Sequence, residues 1–243
     1  MASTSRSSLV VGGVKVAVVR KDIKNLHLGV YPPHGRVRIA VPMHIDDEAA
    51  RLAVVNKLSW LKKQIAAFSR QPRLSDPEAV SGESWYVFGQ RYRLLVVTTK
   101  GKAEVRKPTK SRLELHITSR CKKDVRLTLL DRWYRKQLRE AAEPLLTKWE
   151  SKIGVKVDFW GVKRMKTKWG SCNHEMSRIW LNSELAKKPV ECLELIVVHE
   201  LVHLIAPKHD QKFLDLMDVH LPNWQSLRDQ LNSTPLAHED WRY

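Results

Sequence analysis

The sequence is short of cysteine, of long apolar runs and of acid. Only three cysteines occur in 243 residues, Cys121, Cys172 and Cys192. They form no C-x-x-C pair and cannot all be disulfide-bonded within one chain, which predicts a reducing compartment without a disulfide framework. No apolar stretch approaches the roughly 18 residues of a membrane span, so no membrane partner is expected. The opening MASTSRSS lacks the apolar segment of a secretory signal, and the expected location is cytoplasmic. Internal repeats and low-complexity segments are missing too. What remains is ordinary for a globular chain with a sizeable core: 43% hydrophobic and 28% charged residues.

The shortage of acid is the larger anomaly. Against 43 Lys and Arg stand 26 Asp and Glu, a net charge of +17. Residues 1–120 carry 22 of the basic side chains and only 9 acids. The excess is densest from Lys100 to Arg112, where six basic residues face Glu104. A second knot is Lys163, Arg164, Lys166 and Lys168. Such fields attract polyanions, whether nucleic acid, nucleotides or an acidic partner. A solvated surface that keeps the protein soluble is the plainer reading. No helix-turn-helix, finger or RNP signature accompanies the charge, so by itself it specifies only non-specific affinity.

Patterning predicts an α+β chain. Residues 14–20, 26–31 and 36–41 are β-branched runs separated by Pro and Gly, and they read as an antiparallel meander. Asp46 suits a helix N-cap, followed by apolar spacing from Leu52 to Phe68. Strands are expected near 84–88, 91–98, 103–106 and 112–117. A long amphipathic helix follows from Asp124 to Ile153, with a kink or break at Pro144 and a stop at Gly154. Strands near 155–160 and 178–182 precede helices at 189–204, 209–219 and 223–232. The division drawn from this pattern is a basic β-rich part over residues 1–120 and a mostly helical part over 121–243.

The chemistry concentrates in His199-Glu200-Leu201-Val202-His203. Two His at i and i+4 share one helix face, and their imidazoles can converge on one cation. Glu200, beside the first ligand, can take a proton from water that a zinc ion activates. With 10 His and 14 Glu in the chain, chance predicts roughly 0.02 such motifs. Leu193, Ile196, Val197, Leu201 and Leu204 make the segment a buried helix. A catalytic zinc needs a third protein ligand. Pro207 must end the helix after His203, and His209 follows that turn at the metzincin spacing. Glu239, His220 and Asp210 are the rival third ligands.

Over these residues the sequence resembles the YgjP-like metallopeptidase family, a relative of the SprT-like and WLM zinc peptidases. The resemblance rests on Lys166-Thr167-Lys168-Trp169-Gly170-Ser171-Cys172, Leu181-Asn182, Pro189, Val197 to His203, His209, Phe213 and Leu221-Pro222-Asn223-Trp224. It extends to the opening β segments, to Ser81-Gly82-Glu83-Ser84 and to Trp133-Tyr134-Arg135-Lys136. It implies a zincin-like core with zinc at His199, His203 and His209, and Glu200 as general base and acid. Asp210 and Leu214 depart from the usual Ser and Trp. His209-Asp210-x-x-Phe213 is closer to the WLM proteases, which implies a protein substrate near nucleic acid.

The substrate stays open between two reactions. A peptide amide is the first choice. Nucleotide pyrophosphatase activity has also been assigned within the family, and Lys163, Arg164, Lys166 and Lys168 would then clamp phosphates. Against it, phosphates usually recruit Mg²⁺ through paired carboxylates, and no such pair is evident. A third possibility is a nucleic-acid-binding module with structural zinc, although structural sites usually contain Cys. The candidate substrate-binding residues are Lys166, Lys168, Trp169, Gly170, Ser171 and His174. Gly170 would permit close backbone approach, Trp169 would pack beside the cleft, and His174 is a candidate oxyanion donor. Ser171 and Cys172 lack a second base, which argues against a covalent nucleophile. Cys172 and Cys192 read as buried small hydrophobes, and Met217 as a core residue rather than a Met-turn.

Overall fold

A computed structural model describes residues 5–31, 35–70, 77–165 and 168–233. The chain divides between Ser75 and Asp76 into two compact units. In the first, β1 (Ser5–Val11), β2 (Val14–Lys21), β3 (His27–Tyr31) and β4 (Arg36–Pro42) form a sheet in the order β1-β2-β4-β3. The expected meander does not form, because β4 lies between β2 and β3 and runs parallel to β2. Burial accounts for the difference. β4 buries Val37, Ile39 and Val41, whereas β3 has only half-buried Leu28 and Val30, so the more apolar strand takes the centre. β1, absent from the sequence reading, pairs with β2 across Gly12-Gly13, both at positive φ.

Helices α1 (Asp47–Val55) and α2 (Leu58–Arg70) cover this sheet through Ala50, Val54 and Leu61. Asp46 caps α1, its carboxylate accepting from the Ala49 amide at 2.8 Å. The single helix expected here is interrupted at Asn56-Lys57, where Lys57 donates to Val54 in a tighter three-residue turn.

The second unit opens with β5 (Ser84–Val87), β6 (Gln90–Thr98), β7 (Glu104–Arg106) and β8 (Arg112–Ile117), ordered β5-β6-β8-β7. Their inner face, with Trp85, Tyr92, Leu94, Leu113 and Leu115, packs on α3 (Lys123–Ile153). Tyr134 of α3 stacks on Trp85 at 6.2 Å and donates its hydroxyl to the Tyr86 carbonyl at 2.7 Å. The division expected after Arg120 therefore falls inside one core, and these four strands belong with the helical part. α3 continues through Pro144 because that residue is exposed, leaving the freed carbonyl of Glu140 to water. Gly154, at φ 77°, ends the helix in the left-handed region.

A third sheet has the order β10-β11-β9, from β9 (Phe159–Lys163), β10 (Gly170–Asn173) and β11 (Arg178–Asn182). β9 starts later than expected because Glu150 accepts from the Val157 amide at 2.7 Å and holds that stretch against the end of α3. A short 3₁₀ helix (Ser183–Lys187) leads to α4 (Val190–Val202), α5 (Gln211–His220) and α6 (Trp224–Ser233). The architecture is α+β, and β10 is an edge strand lying against α4. Among the described residues no helix is long and apolar enough to cross a membrane.

Candidate metal centre

α4 is apolar nearly all round, with Leu193, Leu195, Ile196, Val197, Val198, Leu201 and Val202 buried. Pro189 at its N-cap starts it, and His203 at its C-cap closes the last regular turn. The final turn carries His199 and His203 on one face and Glu200 beside them, 4% exposed. After His203 the chain tightens, with the Leu204 amide donating to Leu201 and the Ile205 amide to Val202. That turn, followed by Pro207, returns His209 to the same place.

The three imidazoles meet there. Each offers a ring nitrogen within 4.8 Å of the others, and among the described residues no other group of three or more His, Cys, Asp or Glu does so. Nε2 of His199 lies 3.1 Å from Nε2 of His209. Two nitrogens on a tetrahedral zinc at about 2.0–2.1 Å lie about 3.3 Å apart, so the spacing suits a shared cation. Nδ1 of His203 lies 3.1 Å from the Ala206 carbonyl, which can only accept. Its proton is thereby placed on Nδ1, leaving Nε2 with a free lone pair. Phe213 of α5 supports all three rings, its centroid 4.7–4.9 Å from each of theirs.

The electrostatics favour neutral donors beside a carboxyl poised to exchange a proton. Burial, then His203 and His209, lowers the pKa of His199 to about 3. Burial also lowers His203, more strongly than its hydrogen bond to Ala206 raises it. Burial pushes Glu200 up to about 8, with Lys168 pulling the other way.

A cleft of about 730 Å³ opens over these groups. Lys168, Trp169, Gly170, Ser171 and His174 all line it, on the side of β10; Lys166 lies outside the described residues. Gly170 sits where a Cβ would come within 2.7 Å of Cγ and Cδ of Glu200, and closer still to Oε1. Only glycine lets β10 run this close to the carboxyl. Cys172 is half-buried on the cleft wall rather than fully buried as expected. Burial, and next Glu200, push its thiol up to about 11, so it stays protonated and weakly nucleophilic at neutral pH. Cys192 and Met217 are core residues.

Other sequence candidates go elsewhere. Asp210 caps α5, accepting from the Phe213 amide at 3.2 Å. His220 packs edge-on against Trp149, and Glu239 lies outside the described residues. Lys163 lies over the Trp180 ring at 4.3 Å, and Arg164 approaches Glu184 at 3.8 Å. Neither lines the cleft, so of the four-lysine-and-arginine clamp only Lys168 is seen there.

Two residues have roles that the sequence pattern did not assign. Asn182 is 2% exposed, and its side-chain amide donates to the carbonyls of Met165 and Lys168, each at 2.8 Å. Its own amide donates to Trp169 at 2.9 Å, so this residue ties down the segment leading into β10. Arg228 of α6 lies over Trp224 at 5.1 Å, and both line the cleft. Their i, i+4 spacing was the available signal.

A buried helix presenting two His and a Glu, closed by a third His after a turn and bordered by an edge strand, defines a metal-dependent hydrolase type of site. The chain belongs to the YgjP-like family, whose metallopeptidase domain matches residues 24–234. No curated protein matches the sequence. Among solved structures the chain is similar to the metallopeptidase zymogen abylysin of Pyrococcus abyssi, at 18% identity and TM-score 0.35, over 39% of this chain and 98% of that one. It is also similar to the zymogen jannalysin of Methanocaldococcus jannaschii, at 19% identity and TM-score 0.32, over 39% and 92%.

Proposed function

We propose that the protein is a zinc metallopeptidase with His199, His203 and His209 as ligands and Glu200 as the proton-transfer group. The observation that carries this is the convergence of three imidazoles, their ring nitrogens within 4.8 Å of one another, beside the buried carboxyl of Glu200. Zinc, when bound, supplies Lewis acidity to a substrate oxygen and makes water acidic enough to attack near neutral pH. The protein residues do the rest. The Glu200 carboxylate takes the proton of the attacking water, and the resulting acid gives it to the leaving amine. The free edge of β10 offers backbone N–H and C=O groups to an extended peptide, and Gly170 brings that edge to Glu200. His174, exposed on the same wall, is the oxyanion candidate.

Nucleotide pyrophosphatase chemistry is the second reading, supported by Lys168 and Arg228 in the cleft. Mass spectrometry separates the two. Zinc-loaded wild type and Glu200→Gln are incubated with unfolded protein and, separately, with nucleoside triphosphates. New peptide termini from wild type alone are expected. Pyrophosphate release without new termini would transfer the site to the second reading.

A further inference from the structure

The sheet β5-β6-β8-β7 has an inner face packed on α3 and an outer face exposed to solvent. Alternation assigns the outer row of β6 to Arg91, Arg93, Leu95 and Val97, and that of β8 to Arg112, Glu114 and His116. Arg93 and Arg112 are register partners on neighbouring parallel strands, so two cations stand side by side. Like charges so placed destabilise a sheet unless something neutralises them.

The acids on this face pair with Arg112 and reach neither Arg91 nor Arg93 among the described residues. Glu114 accepts from Arg112 at 3.2 Å and lies 3.0 Å from His116, while Glu104 is engaged by Arg106. The β7–β8 loop adds Lys110 at the end of the sheet where β8 begins, whereas Lys107 lies over the ring of inner-face Tyr92 at 5.8 Å. Arg91, Arg93 and Lys110 are all exposed, and none makes an ion pair among the described residues. Between residues 77 and 120 there are nine Lys and Arg against four Glu. The face also carries half-buried Tyr86, the neighbour of Arg91 in register, and exposed Leu95.

We propose that this outer face, centred on Arg91 and Arg93, binds the phosphate backbone of single-stranded nucleic acid. Cations repeating at about 5 Å across strands and about 7 Å along them form a track for successive phosphates. Tyr86 and Leu95 interleave with the track and offer surfaces to bases. Among the described residues of the second unit this face carries no helix to enter a duplex groove, because α3 occupies the opposite side. This inference is independent of the metal site.

The test is fluorescence anisotropy of the full-length protein with labelled 12-mers of uridine and of thymidine across a salt series. A 12-base-pair duplex, a dodecamer of glutamate and Lys136→Gln, a neutralised cation on α3, are the comparisons. Arg91→Gln/Arg93→Gln is expected to weaken single-strand binding about tenfold and to lower the salt slope by about 1.4, or 0.7 per phosphate. Circular dichroism on the same sample confirms an intact fold. Equal loss in Lys136→Gln, equal affinity for duplex or oligoglutamate, or no difference between wild type and the double variant would overturn the assignment. Uridine against thymidine distinguishes RNA from DNA as the source of the backbone.

Discussion

Glu200 on α4 and Arg93 on β6 are both charged side chains of the second unit, and the fold treats them in opposite ways. Glu200 lies 4% exposed among apolar neighbours, and its pKa is raised to about 8. Arg93 stands on an open sheet face beside Arg112, with no acid of its own. Desolvation makes a carboxyl exchange protons near neutral pH, which proton transfer requires. Exposure keeps a guanidinium ionised and accessible to a polyanion. The same unit therefore holds one region where charge is suppressed by burial and one where it accumulates on the surface. The two should separate by mutation.

The largest effect expected is at Glu200. Glu200→Gln should lower peptide turnover by about 10²–10⁴-fold while zinc content, read by elemental analysis, stays at the wild-type level. Loss of zinc together with activity would make Glu200 structural. Next, His209→Ala should weaken zinc by more than about 100-fold in chelator competition, beyond what outer-shell changes produce. An unchanged affinity would return the third position to another residue.

The supporting residues should give smaller effects. Gly170→Ala forces β10 away from Glu200 and should cost about 1–3 kcal/mol, seen as a lower Tm and reduced kcat. Asn182→Ala leaves the Met165 and Lys168 carbonyls unpaired and should cost about the same. If either variant melts and turns over like wild type, the tight seat of β10 against α4 is unimportant.

The pH response sharpens the contrast further. In metal-free protein the unfolded chain has Glu200 ionised above its ordinary value of 4.5, while the folded chain keeps it protonated up to about 8. Stability should therefore rise as pH falls from 8 to 6.5, by about 2 kcal/mol or about 4–8 °C in Tm. Below 6.5 the sign reverses. Unfolded His199 and His203 protonate there while their folded counterparts resist, so stability is lost as pH falls further. Glu200→Gln should flatten the upper limb and steepen the lower one, where Glu200 otherwise offsets part of the histidine loss down to about 4.5, and calorimetry across pH reads both limbs. The smallest effect expected is that of Arg91→Gln/Arg93→Gln on a short neutral peptide. Its turnover should remain within about twofold of wild type, because exposed charges on a separate face reach the site only through screened fields.

Much of the candidate centre was legible because its information is local. His199, Glu200 and His203 are fixed by helical spacing, and the return of His209 follows from Pro207 and a short turn. Asp46 and Gly154 announced helix ends by their own conformational chemistry. Less visible were properties that depend on partners distant in sequence. That β4 would displace β3 from the centre of its sheet depended on which strand buries more. That residues 84–117 share a core with α3 depended on Trp85 meeting Tyr134, 49 positions away. Asn182 ends β11 as a strand residue, and only the fold brings the Met165 and Lys168 carbonyls to its side-chain amide.

Residue type and spacing along the chain thus determined most of the helices, the spacing of the three histidines and the +17 charge, since each is a property of neighbours in sequence. Tertiary structure alone decided that Gly170 touches Glu200, that Phe213 supports three imidazoles, and that Arg93 and Arg112 stand side by side. Burial and register set those contacts, and both are defined only once separate segments have packed together.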